Sequence, residues 1–443
     1  MLVNLTEEQI LQLAPDAASV KAGKGLASPS KWVLRECSER AVWGHCQGSG
    51  KNPYQTVIDL NNIAFKCSCP SRKFPCKHGL GLLLLYARQP ELFKQAEEPD
   101  WAAAWLAKRT EKAEKKAQQA KSEAPVNAAA QAKRQEKRHQ KVLGGISDLE
   151  IWMKDLVRNG FLNIPERAYT LFDSMARRMV DAQAPGLAAR LKAMQEIDFS
   201  TNEWKSDLTE SMSRLYLLMQ SYRNIDSLSE EWQHEIRTQI GYSQSKDTVL
   251  AGEPVTDSWL VLHKQSRKIS DINTEIYWLY GKRSRLFAKC LNFAAAGVFP
   301  SESWVPGSVY KGSLCFYSGT GTCRRALFRE YKLEEDGFVP ECSKDLKQAA
   351  AAYRMAISIN PFSEDIPLLV NAVTAAHNGK SCTLLDNAGN AVQVKISEET
   401  FIDILAITGG NPFAALLLVN GDLWELKSIW YNREYHTWRD ERN

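Results

Sequence analysis

The sequence predicts an α+β protein with a small ββα-type module, a helical middle region and a mixed, sheet-rich C-terminal domain. Two short strand-like runs precede a leucine-rich helix near the N-terminus, helical periodicity dominates the middle, and apolar alternation follows. A chain of 443 residues is long for a single hydrophobic core. We therefore expect four parts: a module over residues 1–95, a basic helical connector over 96–142, a helical domain over 143–245 and the sheet-rich domain over 246–443.

The N-terminal module begins with a short helix, because Thr6 and Gln9 form the pattern of a capping box. The following stretch "KAGKGLASPSKW" is rich in Gly, Lys, Ser and Pro, which favours a loop. The runs "AVWGHC" and "YQTVIDL" combine β-branched and aromatic residues and predict two strands.

The second half of the module is predicted to be a hairpin followed by a buried helix. Asn61–Asn62 favours a two-residue turn into "IAFKCSC", which is the last predicted strand. The leucines from His78 to Arg88 predict a helix that Pro90 ends. Gly79 and Gly81 cost about 1 kcal/mol each relative to alanine in a helix, so we expect them to serve close backbone packing.

The composition changes in the connector, since residues 101–141 contain 11 Lys and Arg against 4 Glu, with many Ala and Gln. Such a composition predicts a solvated helix or linker. The segment "SEAPVNAAA" contains a proline and interrupts the pattern. We therefore expect two helical pieces with a mobile join.

The middle and C-terminal parts follow different periods. Apolar residues at helical spacing, as in "ISDLEIWMKDLVRNG", predict a helical bundle from Ile146 to about Ser243. After Gly252 alternation predicts strands, interrupted by helices near Lys347–Ile359 and at "FIDILAI". The predicted strands are "DSWLVLHK", "TEIYWLYG", "SRLFAKCLNF", "SVYKGSLCFYS", "LFREYKLEE", "SCTLLDNAGNAVQVKI" and "AALLLVNGDLWELKSIW".

Charge divides the chain unequally. Residues 1–141 contain 23 Lys and Arg against 14 Asp and Glu, a balance of +9, and the remainder contains 33 against 38, a balance of −5. A basic first third predicts a polyanionic partner, although lysines that only keep the surface solvated give the same count.

Several classes of protein are disfavoured. The longest apolar runs are too short to span a bilayer, so we expect no membrane partner. Glu7 and Glu8 stand where a secretory signal would carry lysines, which predicts a cytoplasmic protein. In that compartment the ten cysteines are thiols or metal ligands rather than disulfides. Beyond the first 80 residues the cysteines form no C-x-x-C pair and the histidines are scattered, so no catalytic set is visible and we expect no enzyme.

The strongest motif is Cys67-x-Cys69-x6-Cys76-x-His78, which supplies three thiolates and an imidazole within twelve residues. Borderline-soft metals prefer these ligands, and Zn²⁺ completes a tetrahedron with a Cys3His set. Four protein ligands reserve no position for water, so we expect one structural Zn²⁺ rather than a catalytic one. The complex carries a net charge of −1, which neighbouring cations can offset. These candidate cations, which are also candidate nucleic-acid ligands, are Lys66, Arg72, Lys73 and Lys77.

The order of strand, C-x-C, short loop, C-x-H and helix resembles the SWIM zinc finger, and "QGSGKNPYQTVIDLNNIAFKCSCPSRKFPCKHGLGLLLL" is similar to the bacterial SWIM zinc-finger proteins in particular. The resemblance continues through "WAAAWLAKR" and "RMVDAQAPGLAARL" and covers about residues 1–200. It implies that the four motif residues are the zinc ligands. It further implies binding to DNA or to proteins, with MoxR-type AAA ATPases and von Willebrand factor A-domain proteins as frequent gene neighbours.

Three hypotheses of function follow. The first is an adaptor whose finger and helical region recruit a protein partner, for an AAA ATPase system on the family resemblance. The second is a nucleic-acid-binding protein that uses the lysines of the finger and connector. The third is an enzyme in the C-terminal half, and it is the least favoured because no catalytic residues can be named.

Overall fold

The computed structural model describes residues 5–48, 52–61, 63–71, 73–119, 128–269, 272–295, 303–334, 337–379 and 381–438. The described chain confirms the predicted α+β class. An N-terminal sheet and its helices are followed by a helical bundle, a closed β-barrel and a second open sheet.

The N-terminal module is an open sheet covered by helices. Its elements are α1 (Glu7–Gln12), α2 (Ala17–Leu26), β1 (Trp32–Cys37), β2 (Ala41–Cys46), β3 (Tyr54–Asp59), β4 (Ala64–Cys67), α3 (Lys77–Arg88) and β5 (Lys94–Gln95). In the described chain the strand order is β4-β3-β2-β1-β5, so the sheet has two strands, β1 and β5, beyond the three that the sequence predicted. Helix α3 is buried along almost its whole length and forms the centre of the module's core with Ile10, Ile58 and Phe65.

The prediction of a loop over "KAGKGLASPSKW" was wrong for its first half, because α2 extends to Leu26. Two glycines make this segment a poor isolated helix. Tertiary packing reverses that preference: a Cβ on Gly23 would lie 2.9 Å from the Cβ of Leu80, and one on Gly81 would lie 2.6 Å from the Cβ of Leu26. The glycines therefore let α2 and α3 approach closely, and this confirms the packing role expected of Gly81.

The predicted two-residue hairpin turn was also wrong. Strand β3 ends at Asp59, which pairs with Ala64 at the start of β4, so four residues connect the strands. Asn62 lies outside the described residues, and Ile63 has a φ of 47°.

The connector contains two helical pieces, as predicted: α4 (Asp100–Gln119) and the first turns of α5 (Ala128–Asn159). The predicted mobile join lies outside the described residues. Helix α4 packs Ala102 and Leu106 onto the sheet against Trp43. The predicted boundary at residues 142 and 143 falls inside α5, and the division of the chain into four parts stays a prediction.

The middle of the chain is helical, as predicted. After α5 come α6 (Ile164–Asp181), α7 (Pro185–Ala193), α8 (Trp204–Arg223), α9 (Glu230–Ile240) and α10 (Lys246–Ala251). Helices α5 to α9 enclose one apolar core that includes Val142, Phe172, Leu215 and Tyr222. Within the described ranges we find no helix whose length and hydropathy would suit a membrane crossing.

The first part of the sheet-rich region is a closed barrel of long strands. They are β6 (Pro254–Ile269), β7 (Ile272–Gly281), β8 (Phe287–Ala295), β9 (Val309–Phe316) and β10 (Cys323–Glu334). Aromatic side chains fill its interior, with Trp259, Tyr277, Trp304 and Tyr310 all buried. The neighbouring Val305 reaches into the core of the N-terminal module, so the two parts are packed together.

The C-terminal sheet has the order β13-β12-β11-β14-β15-β16 in the described chain. Its elements are α11 (Leu346–Ile359), β11 (Ile366–His377), β12 (Cys382–Asp386), β13 (Ala391–Val394), α12 (Glu398–Thr408), β14 (Phe413–Asn420), β15 (Leu423–Tyr431) and β16 (Glu434–Thr437). Strand β11 was not predicted from the sequence, because it contains Pro367 and proline is rare in a central strand. The proline is tolerated because β12 pairs only with residues from Val373 onward.

Candidate metal centre

The four motif residues come together where the last strand of the N-terminal sheet leads into the buried helix. Cys67 ends β4 and Cys69 follows in the ligand loop, which we define as residues 68–76. Cys76 is the N-cap of α3 and His78 lies in its first turn. The end of β4 and the residue just after it supply one pair of ligands, and the start of α3 supplies the other, so the position of the site depends on the packing of α3 against the sheet.

Local structure explains the position of the second pair. The Cys76 side chain caps α3 by accepting the backbone N–H of Gly79, with an N–Sγ distance of 3.5 Å. A Cβ on Gly79 would lie 2.8 Å from Cδ1 of Phe65, so the absence of a side chain lets the helix start against β4. The expected close packing at Gly79 is therefore confirmed.

The geometry fits a tetrahedral metal. All four ligand atoms lie within 4.8 Å of one another. The Nδ1 atom of His78 is 3.7 Å from Sγ of Cys67 and 4.0 Å from Sγ of Cys76. A tetrahedron with Zn–S bonds of about 2.3 Å and Zn–N bonds of about 2.0–2.1 Å places sulfur and nitrogen about 3.6 Å apart. The donor set and its spacing therefore suit one structural Zn²⁺, which would fix the ligand loop to the start of α3.

Neighbouring groups orient the ligands. The hydroxyl of the fully buried Thr56 donates to Sγ of Cys67 at 3.2 Å. The ring of Tyr54 packs on the imidazole of His78, with 4.8 Å between ring centroids. With Nδ1 of His78 directed at the thiols, the proton of the neutral imidazole belongs on Nε2.

The electrostatics favour a thiolate before any metal binds. Hydrogen bonding with Cys76 lowers the pKa of the Cys67 thiol to about 4, and His78 and Thr56 act in the same direction against the effect of burial. The same bond raises the pKa of Cys76. Of the ligand thiols, Cys67 is therefore the one whose surroundings most favour the thiolate that binds a metal.

The other cysteines of the module are not ligands. Cys46 is fully buried on β2, and burial raises its thiol pKa. Cys37 is buried in the same core, where burial also raises the thiol pKa. Both cysteines therefore act as small apolar residues of the core. Among the described residues, the Cys3His cluster is the one group of Cys, His, Asp and Glu side chains whose ligand atoms lie close enough together to hold a metal ion.

The basic residues predicted beside the site lie in different surroundings. Nζ of Lys73 is 2.6 Å from a carboxylate oxygen of Asp16, and Nζ of Lys66 donates to the carbonyl of Trp101 at 3.4 Å. Lys77 is exposed at the first position of α3. A cation is unfavourable at a helix N-terminus, so the negative metal cluster gives Lys77 a favourable neighbour. Arg72 lies outside the described residues.

The fold and the Cys3His cluster define a zinc-finger protein with a closed, structural metal site. Comparison with family models makes this more specific: residues 54–87 match the SWIM zinc finger, and residues 137–240 match the SWIM-associated four-helix bundle domain. The chain thus carries a SWIM finger followed by the helical domain that accompanies it. Searches of curated proteins and of solved structures gave no match.

Sequence reasoning missed the surface that surrounds the metal. A groove of about 520 Å³ runs between α2 and the ligand loop, and Cys69 and His78 form part of its wall. We call it the finger groove. Because the segment that became α2 was expected to be a loop, the sequence offered no signal for this surface.

Proposed function

We propose that the protein is a zinc-dependent adaptor whose finger recruits a protein partner. The observation that carries this proposal is the finger groove, because a closed metal site has no chemistry of its own to offer. Two zinc ligands lie in the wall of the groove. Its shape therefore depends on the metal, and partner binding should require zinc.

The chemistry of the groove suits a short peptide that carries an apolar side chain beside an acidic one. Ala18, Ala22 and Leu26 of α2 form an apolar side, and Lys73 and Lys77 contribute positive charge. Lys73 is paired with the carboxylate of Asp16, so the exposed Lys77 is the cation that an acidic partner residue would meet first. Small side chains with nearby cations thus favour an apolar-acidic segment.

The resemblance to bacterial SWIM proteins directs the choice of partner to a MoxR-type AAA ATPase or a von Willebrand factor A-domain protein. The opposite charge balances of the first 141 residues and the remainder, +9 and −5, support separate partners for the two ends of the chain. In this proposal the finger binds the partner and thereby joins it to the helical and sheet-rich parts of the chain.

Nucleic-acid binding by the finger lysines receives less support. Two of the three described candidates, Lys66 and Lys73, are engaged with other parts of the chain. Contact with phosphates would have to replace those interactions, which reduces the gain from binding. An enzymatic role receives no support from the metal site, because all four coordination positions are filled by the protein.

The test measures binding of purified, zinc-loaded protein to the MoxR-type ATPase and to the A-domain protein of the same organism. Ala18→Arg introduces a long side chain at the finger groove, whereas Ala17→Arg makes the same change at the adjacent exposed residue outside it. We expect binding to the native protein and to Ala17→Arg, and at least about tenfold weaker binding to Ala18→Arg.

A Cys67→Ser/Cys69→Ser variant separates the metal from the groove. Loss of zinc should abolish partner binding, whereas Ala18→Arg should weaken binding with its zinc content unchanged. Equal binding by Ala18→Arg and Ala17→Arg would exclude the groove, and binding that survives loss of zinc would exclude a zinc-dependent adaptor.

A further inference from the structure

The barrel has a recognisable strand order. Strand β6 pairs with β7 and β9, β7 pairs with β8, and β10 closes the barrel between β8 and β9. All pairs are antiparallel except β8 with β10, which is parallel. This is the topology of the OB-fold, in which the face of the second and third strands and the loop between the fourth and fifth carry oligonucleotides or oligosaccharides. Topology alone does not assign a function, which depends on the residues at the surface of the barrel.

The face formed by the second and third strands is largely covered. Trp278 of β7 is fully buried on that face, and its indole Nε1 donates to the carbonyl of Asp365 at 3.3 Å. The same apolar cluster contains Leu416 and Trp430 of the C-terminal sheet. That sheet therefore blocks most of the face, whereas Phe293 near the end of β8 is 48 % exposed.

The loop between the fourth and fifth strands, residues 317–322, is a glycine turn rich in hydroxyl groups, "YSGTGT". Gly319 and Gly321 have φ values of 151° and 108°, which favour glycine. The backbone N–H of Thr320 donates to a carboxylate oxygen of Glu235 at 3.2 Å. A Cβ on Gly319 would lie 2.6 Å from that same oxygen, so the glycine lets the Glu235 carboxylate approach the turn.

A cavity of about 360 Å³ opens beside this turn, between the barrel, α9 and residues 360–366. Its cations are Lys246, Lys289, Arg324 and Arg325, and its carboxylates are Glu235 and Glu364. Both carboxylates have partners already, since Glu235 accepts from the turn and Glu364 lies 3.4 Å from Nη1 of Arg190. The cations therefore exceed the acidic groups, and the buried hydroxyl of Thr320 has no hydrogen-bond partner among the residues that the structure describes.

The two arginines that line the cavity also lie over aromatic rings, of which Tyr317 is in the cavity lining and Phe293 and Phe316 are outside it. The guanidinium of Arg324 lies over Phe316 at 4.8 Å. That of Arg325 lies over Tyr317 at 4.4 Å and over Phe293 at 5.6 Å. Phe293 is 48 % exposed and offers a free ring surface next to a cation. Phosphate oxygens bind arginine and hydroxyl groups, and bases stack on aromatic rings.

We propose that this cavity, the turn cavity, binds single-stranded nucleic acid. Arg324, Arg325 and the hydroxyl groups of the turn hold the phosphodiester backbone, and Phe293 stacks a base. A small inorganic anion would use the cations and the turn without the exposed ring. The proposal concerns a surface separate from the finger groove and does not depend on the adaptor function.

The test uses full-length, zinc-loaded protein and fluorescein-labelled dT12 and rU12, with binding followed by anisotropy at about 50 mM and about 200 mM salt. Arg324→Glu reverses one charge in the turn cavity, and Lys311→Glu makes a charge reversal at an exposed position of β9 outside it. We expect Arg324→Glu to weaken binding by about tenfold or more and to reduce the slope of log K against log salt by about 1. Lys311→Glu should stay within about twofold, and equal melting temperatures of the two variants confirm that both fold.

Phe293→Ala tests the stacking contact. It should weaken binding of the oligonucleotide and leave the concentration of inorganic phosphate needed for competition unchanged. Absence of binding at about 50 mM salt, equal losses in Arg324→Glu and Lys311→Glu, or binding that depends only on Lys73 and Lys77 would each overturn the proposal. Preference for dT12 or for rU12 identifies the kind of strand, and either preference supports the site.

Discussion

The N-terminal finger and the barrel both contain a five-stranded sheet in the described chain, yet they are held together differently. The finger sheet is open, and its strands have two to six residues. The barrel strands have eight to sixteen residues and close on themselves around buried aromatic rings. In a short open sheet, an edge strand and a long loop have few contacts to hold them in place. The finger stabilises them with a metal, whereas the barrel is stabilised by more strand hydrogen bonds and a larger apolar core. Metal and core are thus alternative ways to fix a loop to a sheet, and the following experiments test that difference.

The largest effect is expected from removing a zinc ligand. Cys76→Ser keeps an oxygen that can cap α3 but removes one thiolate, so zinc content should fall from about one per chain to nearly none. The apparent free energy of zinc binding in small zinc modules is about 10–16 kcal/mol, and it contributes directly to folding. Hydrogen exchange should therefore rise sharply in residues 64–79, while β7 and β9 of the barrel stay protected.

Cys46→Ser is the matched control, because Cys46 is a buried thiol of the same module that is not part of the cluster. It should retain zinc and protection of the ligand loop. Full zinc content in Cys76→Ser, or loss of protection in the barrel together with the ligand loop, would contradict the idea that the metal stabilises the finger and the apolar core stabilises the barrel.

The converse experiment removes core from the barrel. Trp304 is 3 % exposed and packs against Tyr277 and Phe328, with ring centroids 4.9 and 5.3 Å away. Trp304→Ala should lower the free energy of unfolding by about 3–5 kcal/mol. Zinc content should not change. Leu162→Ala, at an 83 % exposed position, serves as control and should change stability by less than about 0.5 kcal/mol. A small loss in Trp304→Ala would show that the barrel does not depend on its aromatic core.

A smaller effect is expected where α2 meets α3. Gly81→Ala forces its new Cβ against Leu26 and should destabilise the protein by about 1–3 kcal/mol, measured by denaturant unfolding. Gly25→Ala is the control, since among the described residues no atom beyond its chain neighbours and its own helix backbone lies within 4 Å of its would-be Cβ. There the better helix propensity of alanine should stabilise the protein by up to about 1 kcal/mol. Similar losses in both variants would mean that close approach of the helices does not explain the glycines.

The smallest effect concerns the pH dependence of the barrel. Burial disfavours the charged form of Asp257, but hydrogen bonds from Ser284, Arg283 and Ser258 outweigh it and lower the pKa of this carboxyl. A lowered folded-state pKa gives stability that is present above the ordinary value near 3.8 and is lost as pH falls through the folded value. Asp257→Asn should therefore cost about 1 kcal/mol near pH 6 and less near pH 3. A cost that is independent of pH would rule out this contribution, and zinc loss in acid cancels because both proteins carry the same finger.

The four cluster residues could be recognised from the sequence as a group because their spacing is local: the last residue of β4, Cys67, and the first residue of α3, Lys77, are only ten positions apart. Thr56 could not be identified in that way. It reaches Cys67 only through the register of β3 with β4, which pairs residues eleven apart. The finger groove escaped prediction for a related reason, since α2 becomes a stable helix only when Gly23 packs against Leu80.

The sequence by itself determined the metal motif, the helical middle and most of the strands, because periodicity and ligand spacing act over a few residues. The tertiary structure decided the rest. Closure of the barrel needs the parallel pairing of Phe287 with Cys323, thirty-six residues apart, and the covering of β7 by the C-terminal sheet joins segments still further apart. These contacts form between surfaces that are each apolar alone. A local pattern shows that such a surface must be buried, but it does not show which other surface will bury it.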